Sequence, residues 1–150
     1  MTESAGKMPH PWHRFAPDSI EVRMLTDLAA TLKVPLEPRA LKLPSGVRAE
    51  VDGAASDDSV LVKVVATQGT VRSAHRNRVL ADMLKLTWLR AAVAPKARLV
   101  LCITEPVAPY FSATSWPAQA AHDLGVDIYV HGTDGTRRLH AEQELDDTQI

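Results

Sequence analysis

Two carboxylates and one lysine stand close together on two stretches that have the pattern of neighbouring β-strands. Glu50 and Asp52 are two residues apart, so both side chains are expected on one face of a strand, and Lys63 on the next strand can lie beside them. Mg²⁺ needs only one or two protein carboxylates, because water and substrate phosphate oxygens complete its coordination. A lysine can stabilise the charge that develops in hydrolysis. Glu50 and Asp52 are therefore candidate metal ligands and Lys63 is a candidate catalytic residue, with Mg²⁺ expected only in an active enzyme.

The same three residues also have a purely structural interpretation. Glu50 and Asp52 can face solvent with Lys63 opposite them, in an ion pair that contributes about 0.2–1 kcal/mol. Asp52 also precedes Gly53, and such a pair is typical of turns. Lys63 is the sharper observation, because a lysine within a run of valines and leucines is costly to bury unless its amine reaches a carboxylate or water.

A second group of candidates is basic and opens a long helical segment. Arg72, His75, Arg76 and Arg78 fall in its first two turns, with Arg72 and Arg76 on one face at i, i+4. Backbone N–H groups at a helix N-terminus also attract anions. These four residues predict a local contact with DNA phosphates. A solvated basic face beside acids such as Asp82 explains them equally well.

The apolar periodicity predicts the elements that position these residues. A helix is expected over 20–33 with Ser19 as its N-cap, and the long helix runs from after Gly69 to before Pro95, with Leu84 and Trp88 on its apolar stripe. A shorter helix is expected over 115–124. Strands are predicted at 40–43, 47–51, 60–66, 98–104 and 126–130.

Length and composition indicate one domain, since the 150 residues are 45% hydrophobic and 23% charged. We expect a flexible arm over 1–18, the domain over 19–131, and a tail or short accessory element over 132–150. A net charge of −1 gives no general attraction to nucleic acid, so any such contact must be local. The single Cys102 excludes a disulfide within the monomer. No apolar segment suits secretion or a membrane span, which favours the cytoplasm.

The predicted element order, αβββαβαβ, and Asp52 together resemble the PD-(D/E)XK superfamily, the restriction-endonuclease-like fold. The resemblance implies an α/β fold with a mixed central sheet flanked by helices. It also implies an acid at the end of the second core strand, which Asp52 matches, and an acid-x-lysine sequence on the third. Lys63-Val64-Val65 takes that second place. The second acid is therefore absent, and the lysine is not at its usual position.

Three further residues or segments enter through the same resemblance. Gln68 is expected to replace the missing polar function near the end of the third strand, and Glu21 on the first helix is a further candidate acid, as in some relatives. The segment from Ala66 to Gly69, followed by a basic helix, also resembles small actinobacterial proteins of the superfamily.

These observations favour a nuclease-fold module with an eroded catalytic motif, acting in nucleic-acid association or protein interaction. The first alternative is an active Mg²⁺-dependent DNA endonuclease. The second is a structural protein that assembles with itself or a partner through Trp12, Phe15 and Trp88.

Overall fold

Residues 15–140 are described by the structure, which is a computed structural model. Most of the arm expected over 1–18, with Trp12, lies outside the described residues. The same holds for 141–150 in the expected C-terminal region.

Three α-helices, six strands and one 3₁₀ helix make up the described part of the chain. They are α1 (Ile20–Leu32), β1 (Glu37–Lys42), β2 (Arg48–Ala54), β3 (Val60–Val65), α2 (Ser73–Ala92), β4 (Arg98–Thr104), the 3₁₀ helix (Glu105–Phe111), α3 (Trp116–Leu124), β5 (Val126–Gly132) and β6 (Gly135–Arg138). The predicted order is confirmed, and β6 adds a short strand within the region where a tail or accessory element was expected.

Local sequence signals fix the ends of two helices. The Ser19 hydroxyl accepts a hydrogen bond from Val22 N–H at 3.3 Å, and the Ser115 hydroxyl accepts one from Ala118 N–H at the same distance. Gly125 ends α3 with φ of +71°, a left-handed conformation that glycine adopts without penalty. The Ser19 cap is the one predicted from the sequence.

One mixed sheet runs in the order β1-β2-β3-β4-β5-β6. The strands β3, β4 and β5 are parallel, and the remaining neighbours are antiparallel. α1 packs on one face of the sheet, against a core that includes Val62, Val100 and Cys102. α2, the 3₁₀ helix and α3 cover the other face, where Leu61, Leu99 and Ile103 are among the fully buried residues. The predicted fold class, a mixed α/β sheet flanked by helices, is thus confirmed.

The strand β2 departs from regular pairing near its end. Arg39 pairs with Val51 but Glu37 pairs with Ala54, so β2 has one residue more than β1 over this stretch. On its other side β2 pairs with β3 only through Gly53 and Ala54. An irregularity of this kind changes the direction in which side chains point and ends the alternation of side chains between the two faces of the sheet. In this region the alternation of exposed and buried residues stops, and 51–55 are all buried.

Two expectations about these elements are wrong. Asp52 does not start a turn, because β2 continues to Ala54 and a Cβ on Gly53 would come within 3.1 Å of the Leu25 side chain. The apolar stripe of α2 is also displaced: Leu84 and Trp88 are 69% and 43% exposed. The face that packs on the sheet instead follows the spacing of Val79, Asp82, Met83, Leu86 and Leu89.

No helix among residues 15–140 has the length and apolarity needed to cross a membrane.

Candidate functional site

Lys63 lies between two buried carboxylates, one on β2 and one on α2. Its Nζ is 3.6 Å from Oδ1 of Asp52 and 3.9 Å from Oδ1 of Asp82. The side chains of Lys63, Asp52 and Asp82 are 6%, 3% and 10% exposed. An ammonium group buried this deeply is tolerated only with such partners. The expectation that Lys63 must reach a carboxylate is therefore confirmed, and we call these three residues the buried ion cluster.

Asp52 is fixed in this cluster by the backbone of the neighbouring strand. Its Oδ2 accepts a hydrogen bond from Val64 N–H at 2.8 Å. The bond lies just beyond the point where the pairing of β2 with β3 ends at Gly53, so the carboxylate satisfies an amide that regular pairing leaves free. The irregularity in β2 and the position of the Asp52 carboxylate thus belong to one local arrangement.

Asp82 was not singled out as a site residue from the sequence, where it appeared only as an acid near the basic face. Burial raises the pKa of Asp82, and the nearby charges of Lys63 and Arg78 act in the opposite direction. Its Oδ2 has no hydrogen-bond partner within residues 15–140, and Arg78 Nε lies 3.8 Å away. The usable signal was its spacing, because Asp82 falls at i+3 from Val79 and at i−4 from Leu86 on the buried face.

Glu50, Gln68 and Glu21 lie outside the buried ion cluster. Glu50 is exposed on β2, and Gln68 is exposed in the loop between β3 and α2. Glu21 belongs to α1, on the opposite face of the sheet from α2. Burial, and then the positive charge of Lys63, lower the pKa of Lys85, while Asp82, Asp52 and Glu50 raise it. Glu50 and Lys85 both line a groove between β2 and α2, outside the cluster.

The geometry suits an internal cation better than a bound Mg²⁺. The space between Asp52 and Asp82 is taken by the Lys63 ammonium, which would repel a divalent ion. The residues present therefore do not fit the metal that the resemblance implies.

The four basic candidates lie at the start of α2 and face different neighbours. Arg72, Arg76 and Arg78 are exposed, and His75 is half-buried. The Nδ1 atom of His75 accepts a hydrogen bond from Arg72 N–H at 2.9 Å, so His75 helps to cap the helix. Arg78 extends toward Asp82. Arg76 lines a groove formed with the 3₁₀ helix and α3. Arg76 thus faces this groove, whereas Arg78 lies next to the buried ion cluster.

No protein-family model matches this chain, and no curated protein matches it. Among solved structures, the chain is similar to the crystal structure of an XisH family protein from Nostoc punctiforme, with a TM-score of 0.56 and 10% sequence identity. The match covers 77% of this chain and 95% of that protein. At this identity the likeness shows a shared fold.

Proposed function

We propose that this chain is a nuclease-fold module that contacts nucleic-acid phosphates without cleaving them. The observation that carries the proposal is the position of Lys63 Nζ, 3.6 Å and 3.9 Å from two buried carboxylates. The likeness to the XisH family protein supports the fold on which the proposal rests.

The buried ion cluster argues against hydrolysis because its charges and acceptors are already in use. Asp52 interacts with Lys63 through one oxygen and accepts Val64 N–H with the other. A metal would have to displace the ammonium and then find enough oxygen ligands. Each requirement disfavours a catalytic metal at this position.

The exposed arginines of α2 favour phosphate binding beside this inert cluster. The first turn of α2, which lies wholly within the described residues, contains no acidic residue. Arg72 and Arg76 therefore oppose the helix dipole, which is unfavourable unless an anion is close. A phosphate placed there would meet guanidinium groups and helix N–H groups together. We therefore assign DNA contact to Arg72, Arg76 and Arg78, with His75 shaping the helix start.

A protein-binding role is the second candidate, and an exposed apolar patch favours it. Val47, Leu84 and Trp88 are 51%, 69% and 43% exposed. They line one groove between β2 and α2, together with Ala81 and Lys85 among others. Exposed apolar patches of this kind often mark interaction sites. Sedimentation of the parent protein and a Leu84→Lys, Trp88→Lys variant tests this role, which predicts concentration-dependent mass in the parent alone.

The test of nucleic-acid binding compares two double variants with the same change of net charge. Arg72→Glu with Arg76→Glu removes the proposed phosphate contacts, whereas Lys42→Glu with Lys96→Glu changes two exposed lysines elsewhere. We expect the first variant to bind a labelled duplex more weakly and with a salt slope smaller by about 0.9 for each lost phosphate contact. The second variant should keep most of the parent slope. Equal slopes in the two double variants would reject the assignment.

A separate assay tests the absence of cleavage. Parent protein, an Asp52→Ala variant and DNA are incubated with Mn²⁺ or Mg²⁺, and Mn²⁺ binding is followed by calorimetry. The proposal predicts neither saturable binding at the cluster nor cleavage. Metal-dependent cleavage that disappears in a folded Asp52→Ala variant would instead establish the active endonuclease.

A further inference from the structure

A groove beside Arg76 combines aromatic and basic side chains. It has a volume of about 420 Å³, and we call it the aromatic groove. The residues that line it include Arg76, Pro106, Pro109, Tyr110, Ser115 and Trp116. The ring of Trp116 is presented openly, since the residue is 63% exposed. A large aromatic ring left this open to water is a candidate contact surface.

The charge in the aromatic groove has one sign. Arg76 is the only charged residue among the described residues that line it, and none of them is acidic. Arg72 is the N-cap residue of α2, four residues before Arg76, and adds a second positive charge at this end of the helix. This combination suits a ligand with flat rings and negative charges.

The wall formed by the 3₁₀ helix is held in place before any ligand binds. The Tyr110 ring packs edge-on against the fully buried Phe111, with ring centroids 5.5 Å apart and an angle of 76°. The Ser115 hydroxyl donates to the Tyr110 carbonyl at 3.1 Å. Pro106 and Pro109 further restrict the backbone of this wall. Such preorganisation reduces the entropy lost on binding.

We infer that the aromatic groove binds unpaired bases, so that the preferred ligand of this protein is single-stranded nucleic acid. A base stacks on Trp116 or Tyr110, and the adjoining phosphates lie on Arg76 and Arg72. Bases within a duplex do not present their ring faces, so the groove cannot use this mode with intact double-stranded DNA. The inference deepens the proposed function and rests on it, because it names the form of nucleic acid that the α2 arginines bind.

The test separates stacking from phosphate contact with a matched pair of tryptophan variants. Trp116→Ala removes the ring of the aromatic groove, and Trp88→Ala removes another partly exposed ring on a different groove. Binding of a labelled oligothymidine and of a labelled duplex is measured by anisotropy over a range of salt concentrations, with thermal melting to confirm folding. Arg72→Glu with Arg76→Glu is measured in parallel.

We expect the parent to prefer the single strand and Trp116→Ala to weaken that binding by about 5- to 150-fold, the loss typical of one stacked base. Its salt slope should stay at the parent value because no charge is removed. Trp88→Ala should bind as the parent does. The double arginine variant should lose salt slope on both ligands.

Other outcomes divide between the two proposals. Arginine-dependent binding that is equal for the two ligands and insensitive to Trp116→Ala would overturn the base-stacking inference alone. Failure of the parent to bind either ligand would overturn the proposed function as well. If only a proline-rich peptide bound, and Trp116→Ala abolished that binding, the groove would belong to a peptide partner and the inference would be wrong.

Discussion

Replacing Lys63 with methionine should lower the free energy of unfolding by removing the cation of the buried ion cluster. The change keeps a long side chain but leaves Asp52 and Asp82 buried without their shared cation. At an effective dielectric constant of about 20, each of the two contacts attracts by about 4–5 kcal/mol before desolvation is considered. Because desolvation offsets much of this attraction, we expect a net loss of about 3–5 kcal/mol in the free energy of unfolding. That is a large fraction of the stability of a typical domain, about 5–15 kcal/mol.

Urea unfolding followed by circular dichroism measures this loss, with Lys96→Met as the control for losing a lysine at an exposed position. A charge-free variant with Asp52→Asn, Lys63→Met and Asp82→Asn should recover most of the loss, because no buried charge then lacks a partner. If Lys63→Met were as stable as the parent at pH 7.5, the ion pairs inferred from the distances would not exist in solution.

The loss should also depend on pH. Burial places the folded-state pKa of Asp82 above the unfolded value of 3.8, so its protonation favours folding at acidic pH and this contribution is lost as the pH rises. Without the ammonium, the pKa of Asp82 should rise further and carry this dependence to higher pH. The deficit of Lys63→Met relative to the parent should therefore be smaller at pH 5 than at pH 7.5. A deficit that grew on acidification would contradict the reasoning.

Three other changes test separate parts of the structure. Lys63→Glu supplies a third carboxylate, so Mn²⁺ should raise the melting temperature of this variant but not of the parent. Equal shifts in the two proteins would contradict the argument that the Lys63 ammonium keeps a divalent ion out of the cluster. Burial raises the pKa of the Cys102 thiol to about 12. A thiol reagent at pH 8 should therefore label the protein only as fast as it unfolds, and rapid labelling of the folded protein would contradict the burial of this thiol. Gly125→Ala places a Cβ 2.9 Å from Arg90 Nη1 at a φ of +71°, and should cost about 1–2 kcal/mol in urea unfolding. An unchanged value would show that the left-handed helix end is not retained.

The elements were predictable because their signals are local. Ser19, Ser115 and Gly125 mark helix ends by their own hydrogen bonding or backbone conformation, and the apolar run in β4 identifies a strand buried on both faces. The core face of α2 was assigned less well. Leu84 and Trp88 fit an apolar periodicity, but the sheet packs against a neighbouring line of residues that contains an aspartate. Only tertiary structure decides between two such faces.

The site was predictable in part, because the signal of Lys63 is also local to its own strand. A lysine on an apolar strand requires a carboxylate, and this argument correctly found the need for a partner to Lys63. It did not find Asp82, which comes from a helix packed over the sheet. The expectation that the Glu50 and Asp52 side chains lie on one face of a strand relied on regular alternation. The extra residue in β2 ends that alternation at Asp52. Register irregularities of this kind depend on pairing between strands and leave little trace in a single sequence.

Three charged residues in a core contribute little net stability to the fold compared with apolar residues of similar size. Well-packed apolar side chains at such positions are often as stabilising as a buried ion cluster, so stability alone does not explain Asp52, Lys63 and Asp82. The contact from Lys63 to Asp82 also joins β3 to α2, and Arg78 lies one turn before Asp82 on that helix. The charge-free variant separates the two effects. If the cluster serves to position α2, this variant should regain stability but bind DNA more weakly than the parent, whereas recovery of both properties would leave the cluster with no role in presenting the basic surface.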